Sequence, residues 1–452
     1  MNIIDLNARG GIGANSLYCE CGSFCFVIDS GIDPKADGKA ALPQVRSLET
    51  GTLDFILLTH CHLDHLGSLP VLLRHQPDTP VFCSLGSAEL VPIMLKNSYQ
   101  VMQRIREEKG IVEYPLFSRS EIRHATECLR SIRFGDTIVV EKENDKLEIT
   151  FYPAGHIPGA CAVSLQHKHR KIFISGDVLF SKMNTLKGAD FPNNRVDTLI
   201  LETTRGATES PEEKDRLTET NRLVESITHT LQNGGSVLLP VFALGRMQEL
   251  IKILSIARKN KRLPPSKVFA AGLAVNLAEA IDKISKRQDT VDFRYSLLRE
   301  LKVQKPNWEI RPGRDIAERG IYLLGSGMLV ENTPSYKFAA SLLPHSQNSI
   351  CFVGYCDPDT PGGKLLTTSA GDNFLFEALD YVSPVSAKVE KFDLSGHANR
   401  EELLEFAISL DPRSILLTHG DNEARDWFHD SIIDSLPKTQ VLNPEPLKKY
   451  AI

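Results

Sequence analysis

Three histidines and an aspartate lie within six residues of one another in the segment LDFILLTHCHLDHLG, residues 53–67. Side chains two residues apart in an extended backbone point the same way, so His60 and His62 can bind one ion together. Asp64 and His65, one turn further on, can face a second ion. Imidazole and carboxylate groups are ligands that zinc takes in proteins. The cluster therefore predicts a metal site that needs more ligands from elsewhere in the chain.

Other apolar runs end in side chains of the same kind. Short continuous apolar runs predict buried strands, and six of them end at Asp29, the His60 cluster, His156, Asp177, Glu202 and His419. Groups at strand ends are held by a rigid sheet, so we expect these side chains to meet. His156 is a candidate third ligand of the first ion, Asp177 a bridging ligand and His419 a ligand of the second.

A second H-x-H pair, His167 and His169, serves as an internal comparison. No Asp-His pair follows it, and it lies among Lys168, Arg170 and Lys171 between two apolar runs. This context predicts a solvated hairpin turn rather than a metal site.

The bulk composition limits the class of protein. At 452 residues the chain predicts two or three domains, and alternating strand and helix patterns predict an α/β fold. No apolar run approaches the roughly 18 residues of a membrane helix, so no membrane partner is expected. The start MNIIDLNARGG lacks the pattern of a signal peptide. Nine cysteines without paired spacing favour reduced thiols and a cytoplasmic location.

The net charge of −5 argues against a general nucleic-acid coat. A nucleic-acid enzyme of this composition would need its positive charge concentrated in one groove.

The motifs together resemble a known family. The segments IDSG, THCHLDHLG, AGHIPG and SGD resemble the metallo-β-lactamase fold. The later segments LETTRG, GGSVLLPVFALGRMQEL, GSGML, LSGHANREEL and LLTHGD resemble its β-CASP branch, whose members process nucleic acids, among them ribonuclease J and the pre-mRNA 3′-end cleavage endonuclease. The chain looks most like the compact prokaryotic members of the RNA-processing branch.

The resemblance implies a four-layer αβ/βα metallo-β-lactamase fold with an inserted α/β β-CASP cap domain over the metal site. The first domain would comprise residues 1–205 and 390–452, and the insertion residues 206–389. The sequence near the first boundary, Ser-Pro-Glu-Glu at 210–213, is typical of a helix start. Near the second, Asn399 and Glu402 have the spacing of a capping box.

The resemblance also implies roles for individual residues. His60, His62 and His156 would bind one Zn²⁺, and Asp64, His65 and His419 the other, with Asp177 bridging and Mn²⁺ as an alternative metal. Asp29 would orient the cluster from outside it. A hydroxide shared by the two ions would attack phosphorus, with Asp64 among the catalytic residues. His397 would protonate the leaving 3′ oxygen and Glu202 would orient His397.

A histidine at the last motif, His419, resembles the RNA-processing members, whereas the DNA-repair members carry an apolar residue there. The expected activity is therefore a two-metal ribonuclease on single-stranded RNA, acting internally, from a 5′ end, or both. A hydrolase of DNA or a small ester and a non-catalytic RNA-binding scaffold stay open as alternatives. A homodimer is also left open.

The sequence indicates the residues that contact the substrate less specifically than it indicates the metal ligands. Ser326 and Gly327 lie in GSGML, which ends an apolar run and is expected to open a helix whose N–H groups could bind phosphate. Arg246 is either a phosphate contact or a packing residue. The basic run ARKNKRLPPSK is expected to be a solvated helix end, with electrostatic guidance of RNA as the alternative.

Overall fold

The computed structural model describes residues 1–209 and 215–452, and these form two compact units. Unit 1 comprises Met1–Lys182, Leu186–Ser210 and His397–Ile452, and unit 2 comprises Met183–Thr185 and Pro211–Gly396. The domain boundaries predicted from sequence, after residues 205 and 389, fall a few residues before the unit boundaries, which lie after residues 210 and 396. The helix start predicted at residues 210–213 lies outside the described residues.

Unit 1 contains two seven-stranded mixed sheets. The first consists, in spatial order, of Lys449–Ala451, Asn2–Asp5, Leu17–Cys21, Phe24–Ile28, Phe55–Leu58, Val81–Ser84 and Leu129–Ile132. The second consists of Gln440–Leu442, Ser414–Thr418, Thr198–Glu202, Arg170–Ile174, Cys161–His167, Asp145–Pro153 and Thr137–Lys142.

The two sheets pack face to face on an apolar core. Phe26, Phe55 and Phe151 are fully buried between them, and Phe26 and Phe55 stack with ring centroids 4.7 Å apart. A strand buried on both faces is almost continuously apolar, which explains the apolar run of Phe55–Leu58 and that of residues 415–417 inside strand Ser414–Thr418.

Helices cover the outer face of each sheet. Beside the first sheet lie Leu63–Leu66, Leu69–His75, Leu85–Lys109 and Arg119–Glu127. Beside the second lie Arg400–Leu410 and Asn422–Ser435. Short 3₁₀ turns span Gly38–Ala41 and Val45–Ser47. The resulting helix–sheet–sheet–helix order confirms the predicted four-layer α/β fold.

The helix after the second boundary begins as its sequence predicts. The side chain of Asn399 accepts a hydrogen bond from the N–H of Glu402 at 2.7 Å, and the Glu402 carboxylate accepts one from the Asn399 N–H at 2.9 Å. This reciprocal pair caps helix Arg400–Leu410 and confirms the capping box.

Unit 2 is built on one parallel five-stranded sheet. Its strands, in spatial order, are Lys267–Ala270, Gly320–Leu324, Val237–Pro240, Ser349–Phe352 and Lys388–Lys391. Its helices are Arg216–Gln232, Arg246–Lys259, Leu273–Arg287, Ser296–Glu300, Pro334–Leu342 and Pro361–Thr367. A separate hairpin pairs Asn373–Phe376 with Tyr381–Pro384, joined by the 3₁₀ turn Glu377–Leu379. Strands alternating with helices give the α/β insertion that was expected.

Two further features concern the helices and the cysteines. Among the described residues, none of the helices combines the length and the apolar character needed to cross a membrane. All nine cysteines are free thiols, and all of them except the partly exposed Cys25 are buried.

Candidate metal centre

The candidate ligands come from the carboxyl ends of parallel strands in unit 1. In the second sheet, strands Arg170–Ile174, Thr198–Glu202 and Ser414–Thr418 run parallel, so Asp177, Glu202 and His419 meet at one edge. Strand Asp145–Pro153 has the same direction, because it is separated from Arg170–Ile174 by one antiparallel strand, and it leads to His156. Strands Phe24–Ile28 and Phe55–Leu58 of the first sheet are also parallel and deliver Asp29 and the His60 cluster.

A first group of donor atoms is formed by His60, His62, His156 and Asp177. Nε2 of His156 lies 3.0 Å from Nδ1 of His62. Oδ2 of Asp177 lies 3.5 Å from Nε2 of His60 and 3.6 Å from Nε2 of His156. Four donor atoms so close to one another can share one cation.

A second group is formed by Asp64, His65 and His419. Nε2 of His419 lies 3.3 Å from Oδ2 of Asp64, and Nε2 of His65 lies 3.9 Å from the same oxygen. Oδ2 of Asp177 is also 3.5 Å from Nε2 of His65. Asp177 therefore lies against both groups, as a bridging ligand must.

The donor atoms fit a pair of divalent cations such as zinc. Nε2 of His60 and Nε2 of His65 are buried and have no hydrogen-bond partner among the described residues. An unsatisfied buried nitrogen costs free energy, and a metal ion would satisfy both rings. Imidazole and carboxylate donors on tetrahedral sites are the set that zinc prefers.

Asp29 and Thr59 fix the orientation of the His60 and His65 rings. Oδ1 of Asp29 accepts the N–H of Thr59 at 2.8 Å, and Oδ2 accepts the Thr59 hydroxyl at 2.7 Å. Nδ1 of His65 lies 2.8 Å from the same Oδ2, and Nδ1 of His60 lies 3.1 Å from the Thr59 hydroxyl. Each ring therefore has Nδ1 engaged as a donor and presents the lone pair of Nε2 to the site.

Backbone geometry at two strand ends turns side chains into the site. Asp29 and His419 have φ of 59° and 49°, in the left-handed region. This conformation costs an L-residue about 1–2 kcal/mol, and it is held at the ends of buried strands. Gly31 lies two residues after Asp29, and a Cβ there would collide with the carbonyl oxygen of Asp64. The glycine is required by this close approach of two backbones.

His397 and Glu202 form a pair at the edge of the ligand groups. Nδ1 of His397 lies 3.1 Å and 3.2 Å from the two carboxylate oxygens of Glu202, and these residues with Asp177 make a third group of donor atoms. Burial favours the neutral ring, but the negative charge and hydrogen bond of Glu202 outweigh it and raise the pKa of His397. Burial opposes the charge of Glu202 as well, yet His397 holds the pKa of Glu202 below its ordinary value.

The carboxylates of the site concentrate negative charge around the histidines. Burial acts to lower the pKa of His65, but Asp177, Asp29 and Asp64 raise it to about 10. Burial and the neighbouring rings lower the pKa of His60 well below its usual value, which favours the neutral ligand form. Charge that attracts a proton to His65 would equally attract a metal cation.

The predicted substrate residues lie in unit 2. Arg246 is buried, with Nη1 donating to the Leu394 carbonyl at 2.8 Å and Nη2 lying 3.0 Å from the Met183 sulfur. Burial lowers the pKa of this guanidinium to about 10. These contacts favour the packing role among the two alternatives.

The helix expected to open at GSGML does not form there. Strand Gly320–Leu324 is followed by a turn, and the next helix begins only at Pro334. The Ser326 hydroxyl accepts the N–H of Val330 at 2.8 Å, and a Cβ at Gly327 would press on Phe242. The expected helix was wrong because local hydrogen bonds and the downstream Thr333-Pro334 step set the start. The phosphate role of Ser326 and Gly327 stays a prediction.

The second H-x-H pair and the basic run ARKNKRLPPSK are partly as expected. Strands Cys161–His167 and Arg170–Ile174 pair as a hairpin across Lys168 and His169, which confirms the turn. His167 is not solvated, however, because its Nε2 lies 2.8 Å from a carboxylate oxygen of Asp145. The basic run does end a helix, which stops at Lys259, and residues 259–262 within the run are exposed.

Two threonines belong to the site although the sequence analysis missed them. Thr59 precedes His60, and such a Thr-His pair is a local signal that could have been noticed. Thr204 donates its hydroxyl to Oε2 of Glu202 at 2.5 Å and lies 2.9 Å from Nδ1 of His419. Because Thr204 and His419 are far apart in the chain, no sequence pattern indicates this contact.

Three family descriptions match successive parts of the chain. Residues 18–205 match a metallo-beta-lactamase superfamily domain, residues 247–365 a Beta-Casp domain, and residues 382–444 a Zn-dependent metallo-hydrolase RNA specificity domain. They occur in the order in which the motifs appear along the sequence.

Similar curated proteins are archaeal. "RNase aCSPSF2" of Saccharolobus solfataricus is 27% identical over 87% of this chain and 74% of its own. "Probable RNase MJ4" of Methanocaldococcus jannaschii is 25% identical over 85% of this chain and 86% of its own. "Transcription termination factor FttA" of Cenarchaeum symbiosum is 27% identical over 92% of this chain, which spans only 66% of that relative.

Solved structures also match this chain, and one of them matches over the whole length. It is a protein of unknown function from Enterococcus faecalis V583, with a TM-score of 0.55 and 12% identity, covering 100% of this chain and 99% of its own. At this identity the likeness concerns the fold alone.

Proposed function

Because the chain belongs to the β-CASP family of the metallo-β-lactamase superfamily, we propose that it is a metal-dependent ribonuclease acting on single-stranded RNA. The observation that carries the proposal is that Asp177 lies against two separate groups of donor atoms. The match to an RNA specificity domain and the curated relatives named as RNases support RNA as the substrate. The cytoplasmic location and the homodimer stay predictions.

In this proposal His60, His62 and His156 would hold one cation, Asp64, His65 and His419 would hold the other, and Asp177, which lies against both groups of donor atoms, would contribute its carboxylate. Two such ions supply an activated water for attack on phosphorus and neutralise charge on the phosphate. Zinc suits the donor set best, with manganese as the alternative. Asp29 keeps the ring of His65 in the tautomer that a metal needs.

His397 is proposed to donate a proton to the leaving 3′ oxygen. Its Nδ1 is held by Glu202, so its Nε2 is left to carry the transferred proton. The charge and hydrogen bond of Glu202 raise the pKa of His397, which favours the protonated ring that a general acid requires. Glu202 then stabilises the position of the ring and is itself fixed by the Thr204 hydroxyl and the N–H of Val178.

The non-catalytic alternative is the less supported one. A scaffold protein has no need of a complete ligand set, whereas all seven predicted ligand side chains fall into the two groups of donor atoms. The termination activity named for the longer relatives is not transferred, because the chain spans about two thirds of them.

The test is cleavage of matched single-stranded RNA and DNA oligonucleotides by metal-loaded protein. We expect cleavage of RNA, with the Asp64→Ala protein as the inactive control for contaminating nucleases. Equal rates on both polymers, or faster DNA cleavage, would overturn the RNA assignment. RNA with a 5′ phosphate or a 5′ hydroxyl, analysed for the first products, distinguishes internal cutting from 5′-exonuclease action.

A further inference from the structure

A surface segment of unit 2 combines exposed cations with an exposed indole. We call residues 305–314 the Trp308 loop; Lys305, Trp308, Arg311 and Arg314 are all exposed in it. Trp308 has 50% of its surface exposed, more than any other aromatic side chain in the described residues. The exposed indole offers an aromatic face on which a ligand can stack, next to three exposed cations.

The fold does not use the cations of this loop. Nearby Arg319 pairs with Asp315 at 2.7 Å, and Lys267 pairs with Glu318 at 2.6 Å. Among the described residues, by contrast, the side chains of Arg311 and Arg314 have neither an ion pair nor a hydrogen bond. Their charges are therefore available to a partner from outside the chain.

The backbone of the loop is fixed although its side chains are exposed. The N–H of Gly313 donates to the Ala340 carbonyl at 3.0 Å, and the Ser341 hydroxyl donates to the Arg314 carbonyl. Trp308 packs edge-on against Phe338, with ring centroids 6.1 Å apart. A loop anchored in this way loses little conformational entropy when it binds.

A cavity of about 540 Å³ opens beside the loop. Its wall includes Arg311 and Arg314, the acids Glu309, Asp315 and Glu318, and the buried side chains of Tyr322 and Phe338. The volume lies within the range of small-ligand pockets, roughly 300–1,000 Å³. Asp315 and Glu318 pair with Arg319 and Lys267, so among the described residues the two guanidinium groups of the wall outnumber its one unpaired acid, Glu309.

We propose that the Trp308 loop is a second binding site for the RNA substrate, in which one base stacks on Trp308 and the flanking phosphates contact Arg311 and Arg314. This inference rests on the proposed ribonuclease function and deepens it. Single-stranded nucleic acids are bound by aromatic platforms and positive charge without sequence preference. Glu309 is the only acid in the loop, which also carries three cations. The whole chain has a net charge of −5. On a chain of net negative charge, a local positive site favours the binding of RNA.

The first test measures binding of a labelled 20-nucleotide adenosine RNA to the full-length Asp64→Ala protein, which does not consume the RNA. Adding Trp308→Ala should weaken binding on the order of 5- to 100-fold, whereas Trp308→Phe should recover much of the affinity, because stacking on the ring carries the effect. Adding Arg311→Ala with Arg314→Ala should weaken binding and make the salt dependence shallower. The log–log slope should fall by roughly 0.7 for each phosphate that the protein no longer neutralises.

The matched control removes two other exposed cations of unit 2. Lys283→Ala with Lys286→Ala deletes the same charge from helix Leu273–Arg287 and should leave both affinity and salt slope close to those of the parent. RNA affinity unchanged in the Trp308→Ala and double-arginine proteins would overturn the proposal. So would an equal weakening in the lysine control, since it would point to net charge rather than a site.

A second test uses the tryptophan itself. The chain has two tryptophans, so Trp427→Phe leaves Trp308 as the only indole. We expect RNA to quench its emission in a saturable way, and unchanged emission at saturating RNA would contradict stacking. If the wild-type protein neither binds nor cleaves RNA, the proposed function itself fails. If it does both and the loop variants bind normally, only the second site fails.

Discussion

The hydroxyl oxygen of Thr204 lies 2.9 Å from Nδ1 of His419, and the same hydroxyl donates its only proton to the carboxylate of Glu202. The oxygen must then accept a hydrogen bond from Nδ1. In that tautomer the second ring nitrogen of His419, which lies 3.3 Å from Oδ2 of Asp64, carries the lone pair that a metal ligand needs. Thr59 relates Asp29 to His60 in the same way. In both cases a carboxylate fixes a threonine, and the threonine fixes the tautomer of a candidate ligand.

Replacing Thr204 tests this relationship. Thr204→Val keeps the shape but removes the acceptor, so His419 should populate the wrong tautomer. We expect metal affinity at the second position to fall about 10- to 100-fold. Thr204→Ser retains the hydroxyl and should bind metal nearly as well as the wild type. Equal metal dissociation constants for the valine and serine proteins would show that the hydroxyl does not act on His419.

Removing Asp64 tests the second ligand group. Asp64→Ala deletes a carboxylate donor, so elemental analysis at saturating zinc should show fewer ions per chain and RNA cleavage should be abolished. His167→Gln is the control, because His167 belongs to an H-x-H pair that contacts Asp145. Loss of metal in the control protein would indicate general unfolding instead of a ligand effect.

Replacing His397 tests proton donation. His397→Ala should retain the full metal content and cleave RNA about 10²–10⁴-fold more slowly, the usual range for a general acid. A 4-nitrophenyl phosphodiester has a leaving group that needs no proton, so its hydrolysis should be affected much less. A similar loss of rate on both substrates would assign His397 a positioning role. His169→Ala, on the hairpin turn, should behave like the wild type.

Removing the metals tests their contribution to stability. Nε2 of His60 and Nε2 of His65 lack hydrogen-bond partners among the described residues, and the carboxylates around them repel one another. Chelation should therefore lower the thermal unfolding temperature, and zinc at a hundredfold excess over its Kd should restore about 2.7 kcal/mol for each site. A melting temperature that changes neither on chelation nor on addition of zinc would contradict the presence of a bound metal.

Asp5 gives a pH prediction away from the candidate metal centre. Burial raises the pKa of Asp5 to about 6, above the ordinary value of about 3.9. The folded state therefore favours the protonated acid, and stability is lost as the pH rises through 6. Asp5→Asn keeps the acceptor for the Asn7 N–H. The unfolding free energy of Asp5→Asn minus that of the wild type should increase by about 1.4 kcal/mol between pH 5 and pH 8. An identical difference at the two pH values in urea titrations would contradict this.

Local sequence patterns predicted many elements of this protein. Continuous apolar runs indicated buried strands, and the side chains at their ends, from Asp29 to His419, do converge in unit 1. The pair Asn399 and Glu402 indicated a helix start that the structure contains. These succeeded because strand burial and helix capping depend on neighbours within a few residues.

Other features depended on contacts across the chain. The helix expected at GSGML is absent, since the turn there is closed by hydrogen bonds to residues further along. His167 proved to be paired because Asp145 is brought beside it by an adjacent strand. Glu202 is the last residue of its strand, so it reaches the site from the sheet itself and not from a loop.

The sequence by itself determined which side chains could bind metal and at which strand ends they would stand, because donor chemistry and backbone periodicity are local properties. The tertiary structure alone decided which ring nitrogens face inward, since Thr204 reaches His419 only through folding. It also decided that the Arg246 guanidinium is buried while those of Arg311 and Arg314 are exposed. The physical reason is that burial and hydrogen-bond partners are set by residues distant in sequence.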